Sequence, residues 1–277
     1  MSAAPPPSLS IIIMAIDEAE HLEGCISSAA GLLARRHSEL VIILDGRATP
    51  AVEAVARQHT SQVHRLPFVN FSAQRNNGLA RAGGEWVLFL DPDERVTPAL
   101  AREIAATMAA PVALAGYWVP RRTLMFGHEV RHAGWWPDYQ MRFLRRAVAH
   151  YDEARAVHEV PQVPAAQQGH LHEPLIHYNY ATWRQFTAKQ RQYAVHEAQA
   201  QFAQGARARP RNFVLQPLRE FRRRYWTLEG WKDGLLGLVL ALAMAYYTLR
   251  MYGTLARLPS AGQGGPPADT LGNGKGL

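Results

Sequence analysis

The 277-residue sequence contains a single cysteine, Cys25, so no intramolecular disulfide can form. An isolated cysteine in a helical pattern is typical of a buried core residue, and one cysteine fits a reducing compartment. A secretion signal is also lacking, because the N-terminus has no basic segment and its first apolar run, residues 11–16, ends at Asp17 and Glu18. We therefore expect the body of the protein to lie in the cytoplasm.

Acidic residues are scarce in one part of the chain. The formal net charge is +7, and residues 203–226 hold seven arginines but one acid, Glu220. These arginines are Arg207, Arg209, Arg211, Arg219, Arg222, Arg223 and Arg224. Phe213 and Phe221 are the only aromatic residues within 207–224, which argues against a nucleic-acid-binding protein. An apolar stretch follows the basic segment, which favours an anionic membrane surface as its partner.

The apolar stretch is short for a transmembrane helix. Residues 234–249 form an uncharged run of 16 residues, below the about 20 that span a bilayer. Three interpretations stay open: a helix in the protein core, a helix in the membrane interface beside the basic segment, and a span. We expect the interfacial arrangement, and hence a peripheral protein on the inner face of the cytoplasmic membrane.

The first half of the chain alternates apolar strand patterns with helical patterns. We predict strands at 9–15, 39–44, 62–66 and 85–90, and helices at 18–34, 50–59, 70–82 and 97–109. This alternation indicates a mainly parallel sheet with helices on both faces. Ligands bind beyond the carboxyl ends of the strands in such sheets, so the residues after the first, second and fourth strands are the first functional candidates.

The rest of the chain is less regular. Strand patterns recur at 113–119, 141–146 and 170–178, and helical patterns follow at 182–204 and 212–226. The end of the chain is rich in glycine and proline, which predicts disorder. We therefore divide the chain into an α/β domain at 1–180, a helical region at 181–256 and a disordered tail at 257–277.

Two carboxylates, Asp91 and Asp93, lie on a turn directly after the fourth predicted strand. At this spacing they can face one cleft and hold a divalent cation that also bridges substrate phosphates. The turn alone is weak evidence, because exposed acidic turns are common. Two neighbours strengthen it: Asp45 follows the second strand, and Arg75, on the helix before the fourth strand, can meet a phosphate.

Three segments resemble motifs of family 2 glycosyltransferases. They are residues 10–29 (SIIIMAIDEAEHLEGCISSA), 39–50 (ELVIILDGRATP) and 71–100 (FSAQRNNGLARAGGEWVLFLDPDERVTPAL). Further segments are similar to a subgroup that acts in lipopolysaccharide or lipooligosaccharide inner-core assembly, often as β-glucosyltransferases. They are residues 126–146 (FGHEVRHAGWWPDYQMRFLRR), 156–160 (AVHEV), 173–180 (EPLIHYNY) and 227–247 (TLEGWKDGLLGLVLALAMAYY).

The resemblance implies a GT-A fold, a Rossmann-like, mainly parallel sheet flanked by helices, here with a C-terminal helical extension. The nucleotide-sugar half would cover about 9–110 and the acceptor half about 111–180. It further implies an inverting, metal-dependent hexosyltransferase that uses Mg²⁺ or Mn²⁺. The expected donor is a UDP-sugar, UDP-glucose first, and the expected acceptor is a lipopolysaccharide-core-type or other cell-envelope glycan or glycolipid.

The resemblance assigns roles on the donor side residue by residue. It implies that Asp93 ligates the metal, that Asp91 lies near both the ribose and the metal, and that Arg75 lies near the donor. The nucleoside pocket would contain Asp45 against the base, with Ala15 and Asp17 beside it. Asp17 stands where the family usually has asparagine, and residues 46–50 differ from its usual S-G-S-T-D turn. Both departures leave the identity of the base open.

Inversion needs a carboxylate that takes the proton from the attacking hydroxyl, and no covalent enzyme intermediate. We predict Glu159 as this base, with Asp138 as the alternative. His158 is a further candidate metal ligand because imidazole suits Mn²⁺, whereas the spacing of His177 predicts no metal site. A non-catalytic nucleotide-sugar-binding or scaffold protein with the same fold is the alternative function. The intact carboxylates favour an enzyme.

Overall fold

A computed structural model describes residues 8–111, 114–154 and 160–259. The chain divides into two compact units, Met1–Thr182 and Trp183–Leu277. The first unit is built on a ten-stranded sheet with helices against it, and the second consists of helices. Most of the predicted tail lies outside the described residues, although the last helix continues to Arg257.

The first part of the α/β unit alternates strands and helices as predicted. Its strands are β1 (Leu9–Ala15), β2 (Ser38–Asp45), β3 (Val63–Leu66) and β4 (Trp86–Leu90). Its helices are α1 (Ala19–Ser28), α2 (Ala30–Leu33), α3 (Pro50–His59) and α4 (Phe71–Arg81). The four strands pair in parallel in the order β3–β2–β1–β4. Their carboxyl ends therefore meet at one edge of the sheet.

The second part of this unit extends the sheet with mixed pairing. It contains β5 (Glu94–Val96), α5 (Pro98–Ala109), β6 (Gly116–Met125), β7 (His128–Val130), β8 (Asp138–Arg145), β9 (Gln168–His170) and β10 (Leu175–Tyr180). The order continues β4–β8–β6–β10–β5, and β7 and β9 pair with β6. Strand β8 runs antiparallel to both β4 and β6. The predicted α/β class with a mainly parallel, helix-flanked sheet is confirmed.

The core fills both faces of the central strands. Along β1, Ile11 and Ile13 pack on one face with α1, α3 and α5, and Ile12 packs on the other face with Leu79 of α4. These isoleucines are fully buried, and each such side chain stabilises the fold by about 1.5–3 kcal/mol. Burial on both faces explains why the strands are almost continuously apolar in sequence.

Local signals fix several element ends. The Thr97 hydroxyl accepts a hydrogen bond from Leu100 N (3.1 Å) at the start of α5, and Asn70 caps α4 through Ala73 N (2.8 Å). Gly84 is needed before β4, because a Cβ there would lie 2.6 Å from Ser10 N.

Some predicted elements differ in the structure. The predicted helix 18–34 breaks at Ala29, and the predicted strand 170–178 is two strands, β9 and β10. The short strands β5 and β7 have no signal of their own in the sequence. Strand β5 forms because β10, which is distant in sequence, offers it a paired edge, and β7 forms because it folds back on the neighbouring strand β6.

The second unit contains α6 (Trp183–Ala203), α7 (Asn212–Arg222), a π-helical turn at Arg223–Thr227 and α8 (Gly234–Arg257). Helix α8 packs on both α6 and α7. Its buried side chains include Leu240, Tyr247 and Met251. With 24 residues, α8 is longer than the uncharged run that predicts it.

The length of α8 changes one sequence argument. The segment Gly230–Arg257 has 28 residues, and its most apolar 18-residue window has a mean hydropathy of 1.5, which is long and apolar enough to cross a membrane by length and composition alone. Its most apolar window is 28% buried inside the protein. Shortness therefore does not exclude a span, and the surroundings of the helix have to decide between the interpretations.

Candidate active site

The turn after β4 is held by Glu94, the first residue of β5. Glu94 N donates to the Asp91 carbonyl oxygen (2.9 Å), and Asp91 N donates to Glu94 Oε2 (3.0 Å). Strand β10 fixes the other side of the turn, since Tyr178 N donates to the Asp93 carbonyl oxygen (2.8 Å). Three backbone segments thus hold the two aspartates at the carboxyl edge of the sheet.

A buried ion network joins this turn to β6 and β8. Arg142 on β8 contacts the carboxylate of Asp91 and donates to Glu94 Oε1 (2.9 Å). Arg121 on β6 reaches the same Glu94 oxygen (3.2 Å) and donates to Asp138 Oδ2 (2.9 and 2.5 Å). Glu94 is 0% exposed and Arg142 is 3% exposed. Charges this deeply buried are tolerated only when they are paired in this way.

Arg75 lies on the other side of Asp91. Its Nη2 is 3.7 Å from Asp91 Oδ1, and its guanidinium lies over the rings of Phe89 (5.2 Å) and Tyr151 (5.7 Å). Within the described part of the chain, its buried Nε and Nη1 have no hydrogen-bond partner. Buried donors left unpaired cost about 1–3 kcal/mol each. An anionic ligand such as a phosphate would satisfy them.

The charges around Asp91 fix its protonation state. Burial disfavours its ionised form, but the positive charges of Arg142, Arg75 and Arg121 outweigh burial and hold the pKa of the Asp91 carboxyl well below its ordinary value. Burial likewise disfavours the charged form of Arg142, but the negative charges of Asp91 and Glu94 outweigh burial and raise the pKa of Arg142. Asp91 is therefore a carboxylate at any physiological pH.

Asp93 faces a histidine of β10. The Nε2 atom of His177 lies 3.5 Å from Asp93 Oδ2, and its buried Nδ1 has no partner among the described residues. Nothing in the spacing of the histidines predicts this pair, because it arises from the pairing of β10 with β5. Within the described residues, no group of three or more His, Cys, Asp or Glu side chains could hold a metal ion. The Asp93 carboxylate suits Mg²⁺ or Mn²⁺ when phosphate and water complete the shell, and the imidazole nitrogen of His177 is a less usual ligand that Mn²⁺ accepts more readily than Mg²⁺.

The ends of β1 and β2 form a second group of predicted residues. Ala15 is the last residue of β1, next to the end of β2 at Asp45. Thr49 N donates to the Ile16 carbonyl oxygen (3.0 Å), which draws the following loops together near the exposed Asp17. The structure therefore brings Ala15, Asp17 and Asp45 to one edge.

Asp45 is engaged by an arginine that the sequence analysis did not single out. Its carboxylate accepts hydrogen bonds from Arg47 N (2.8 Å), Nε (3.0 Å) and Nη2 (2.8 Å). The bonds from the Arg47 side chain are the main reason that the pKa of Asp45 is lowered. The Arg47 guanidinium also lies 5.7 Å from the ring of Phe68, which is exposed beside Phe71. An ion pair and a pair of exposed aromatic rings thus border the expected nucleoside pocket.

The profile described as "Glycosyl transferase family 2" matches residues 10–152, which is more than half of the 277 residues. The chain belongs to glycosyl transferase family 2. The match runs from β1 past β8 and includes Asp45, Arg75, Asp91, Asp93 and Asp138.

This family 2 glycosyltransferase has a relative that matches nearly its full length. The "Lipopolysaccharide core biosynthesis glycosyltransferase LpsC" of Rhizobium meliloti is 26% identical over 249 residues, which cover 88% of this chain and 90% of the relative. A TPR repeat-containing protein of Synechococcus elongatus is 30% identical over 108 residues, which cover 39% of this chain and 26% of that protein. The first similarity includes the helical second unit as well as the sheet.

Solved structures of glycosyltransferases are less similar in sequence to this chain than LpsC is. Residues 1–349 of S. aureus TarS in complex with UDP give a TM-score of 0.46 at 13% identity and cover 90% of each chain. Glucosyl-3-phosphoglycerate synthase from Mycobacterium tuberculosis, in complex with Mn²⁺, UDP and glucosyl-3-phosphoglycerate, gives a TM-score of 0.37 at 19% identity. That alignment covers 42% of this chain and 44% of the synthase.

Two predicted site residues of this glycosyltransferase, Glu159 and His158, lie outside the described residues. Their roles as base and metal ligand stay predictions. Asp138 lies at the start of β8, directly across the strand pair from Arg121. Its Oδ1 accepts a hydrogen bond from Gln140 (3.0 Å), so both carboxylate oxygens already have partners.

Proposed function

We propose that this protein is an inverting hexosyltransferase that transfers glucose from UDP-glucose to a lipopolysaccharide-core-type or other cell-envelope glycan acceptor. The observation that carries the proposal is the Asp91–Asp93 turn at the carboxyl end of β4, surrounded by Arg75, Arg142 and His177 in a chain of family 2. The similarity to LpsC supports the acceptor class. The resemblance to inner-core β-glucosyltransferases supports the donor.

The proposed cation is Mg²⁺ or Mn²⁺, held by Asp93 and His177. When bound, it acts as a Lewis acid for the departing diphosphate. Asp91 keeps its ion pairs with Arg142 and Arg75. Because it remains ionised, its carboxylate accepts hydrogen bonds from the ribose of the donor. Arg75 offers its unpaired buried donors to a diphosphate oxygen.

The proposed general base is Glu159. Its rival, Asp138, is less suited because Arg121 donates two hydrogen bonds to one oxygen and Gln140 donates to the other. Both oxygens of the Asp138 carboxylate are therefore already engaged by protein donors. Proton transfer by the base accompanies attack of the acceptor hydroxyl on the anomeric carbon, with donor and acceptor held in line.

A transfer assay tests the proposal directly. Labelled UDP-glucose, UDP-galactose and GDP-mannose are offered with a lipopolysaccharide-core acceptor. We expect incorporation from UDP-glucose that EDTA abolishes and Mn²⁺ or Mg²⁺ restores. Asp93→Asn should lose incorporation, whereas Glu197→Gln, a change at an exposed carboxylate of α6, should retain it. If a thermal-shift titration shows donor binding but no donor is transferred or hydrolysed, the non-catalytic alternative is correct.

A lipid-linked acceptor would place the reaction at a membrane. We therefore also propose that the protein works as a peripheral protein on the inner face of the cytoplasmic membrane. The surface of the second unit supports this proposal.

A further inference from the structure

The second unit carries positive charge that its acids do not offset. Glu220 accepts hydrogen bonds from Arg223 (2.9 and 2.8 Å) and from Arg224 (2.5 Å). The remaining arginines of the segment are exposed, and among the described residues they have no acidic partner. They are Arg207, Arg209, Arg211, Arg219 and Arg222. Five of the seven arginines in this segment therefore have no acidic partner among the described residues.

Four of these five arginines line one cavity. This basic cavity, of about 560 Å³, lies at the start of α7 and is lined by Arg207, Arg209, Arg211 and Arg219, with Leu215 at its wall. Guanidinium groups bind phosphate oxygens through paired, charge-assisted hydrogen bonds. The cavity is therefore chemically suited to a phosphate group that also carries an apolar part.

In the same unit, α8 exposes an apolar stripe. It consists of Leu235, Val239, Leu242, Tyr246 and Leu249, which are exposed by 77%, 38%, 53%, 50% and 38%. Their spacing of four and three residues places them on one side of the helix. Leu218 of α7 (60%) and the tryptophans Trp226 (60%) and Trp231 (49%) are also exposed. A row of exposed apolar side chains along one helix face is typical of an interaction site.

We propose that the basic cavity and the apolar stripe form one docking face whose occupant is an anionic lipid bilayer. Lipid phosphates enter the cavity, the apolar stripe lies among the acyl chains, and Trp226 and Trp231 lie at the headgroup level, where such rings are favoured. This goes beyond sugar transfer, because docking needs neither donor nor acceptor.

The charge pattern distinguishes a bilayer from a second copy of the chain. A dimer through the apolar stripe would add a second set of unneutralised arginines to the same assembly, and like charges repel. An anionic surface attracts every one of them.

The packing of α8 argues against a span. Its opposite face is buried on α6 and α7, and the Tyr247 hydroxyl donates to the Thr187 carbonyl oxygen of α6 (3.3 Å). Spanning would separate α8 from these helices or take the charged side chains of α6, such as Lys189 and Arg191, into the hydrocarbon. A helix in the plane of the interface keeps this packing and leaves α6 in water.

Vesicle co-sedimentation with the full chain tests the docking face. Vesicles of neutral phosphatidylcholine are compared with vesicles that contain phosphatidylglycerol, across a salt series. We expect binding to the anionic vesicles only, weakening with salt. The triple variant Arg209→Gln/Arg211→Gln/Arg219→Gln should bind about 100-fold more weakly, since each basic residue contributes a factor of about five. Leu235→Ser/Leu242→Ser should also lose binding.

Matched controls separate a local effect from a loss of net charge or of folding. Arg35→Gln/Arg36→Gln/Arg102→Gln removes the same charge from exposed positions of the first unit and should keep wild-type binding. Brominated lipids should quench the tryptophan fluorescence of the wild type, and Trp226→Phe/Trp231→Phe should remove that quenching. Circular dichroism melts check that each variant is folded.

Several results would overturn the proposal. The proposal is wrong if the full chain remains in the supernatant with anionic vesicles at low salt. It is also wrong if the charge-control variant loses as much binding as the cavity variant. Binding that resists both salt and alkaline carbonate would indicate a span. A concentration-dependent dimer that Leu235→Ser/Leu242→Ser abolishes, without vesicle binding, would make the face an interface between two copies.

Discussion

Replacing Arg142 with glutamine removes the cation that joins Asp91 to Glu94. Arg142 is 3% exposed and Glu94 is 0% exposed, so the change leaves buried carboxylates without part of their compensation. Removing one partner of a buried ion pair lowers the free energy of unfolding by about 3–5 kcal/mol. Arg121 still contacts Glu94 and Arg75 still faces Asp91, which places the expected loss near the lower end of this range.

The same substitution should change how stability depends on pH. In the wild type the pKa of Asp91 is lower when folded than when unfolded, so its ionisation stabilises the fold above about pH 4 and this contribution is lost only in stronger acid. Without Arg142, burial acts against weaker opposition and the folded pKa of Asp91 rises. The acid limb of the stability curve should therefore move to higher pH.

Urea unfolding followed by circular dichroism between pH 3 and pH 8 measures both effects. The matched control is Arg145→Gln, on the same strand, which removes a partly exposed ion pair with Glu85 and should cost less than about 1 kcal/mol. Arg142→Lys should recover part of the loss, because an ammonium supplies charge but does not bridge two carboxylates as a guanidinium does. If Arg142→Gln and Arg145→Gln are equally stable and share one acid limb, the reasoning on the buried network is wrong.

Three further predictions concern the site. His177→Ala should lower the Mn²⁺-dependent part of the thermal shift produced by UDP without lowering the melting temperature of the free protein by a comparable amount. Glu159→Gln should reduce turnover by about 10²–10⁴-fold and keep donor binding in calorimetry; if Asp138→Asn shows that pattern instead, the base is Asp138. Arg47→Ala should free the Asp45 carboxylate and change the ratio of UDP to GDP affinity, and an unchanged ratio would remove Arg47 from the nucleoside pocket.

The parallel half of the sheet could be predicted because its signals are local. Strand β1 has the predicted bounds, since an unbroken apolar run between a polar start and Asp17 has few alternatives. Helix α5 begins where Thr97 and Pro98 indicate, because the cap bond and the fixed φ of proline act within one turn.

Most of the ion network could not be predicted in this way. Arg142 lies in the segment MRFLRR, where three arginines look equivalent in the sequence. Only the pairing of β8 between β4 and β6 places this one inside and Arg145 at the surface. His177 likewise gains its neighbour Asp93 from the pairing of β10 with β5, and such long-range pairing leaves no local pattern.

The end of α8 shows a limit of charge as a boundary signal. The uncharged run stops at Arg250, but the helix continues to Arg257. Arginine is a good helix former, and its charge can reach solvent from a helix surface, so it ends the apolar run without ending the helix.

The position of Cys25 has a practical consequence for spectroscopy. Its side chain is fully buried, its thiol lies 3.4 Å from the Asp91 carbonyl oxygen, and burial together with the charge of Glu94 raises the pKa of the thiol. Maleimides react with accessible thiolates, so the folded protein should remain unlabelled and the unfolded chain should react at one site. The natural sequence is therefore a ready background for spin labels or fluorophores at cysteines introduced along α8. Alkylation of Cys25 under partial denaturation would then report how often the sheet around the aspartate turn opens.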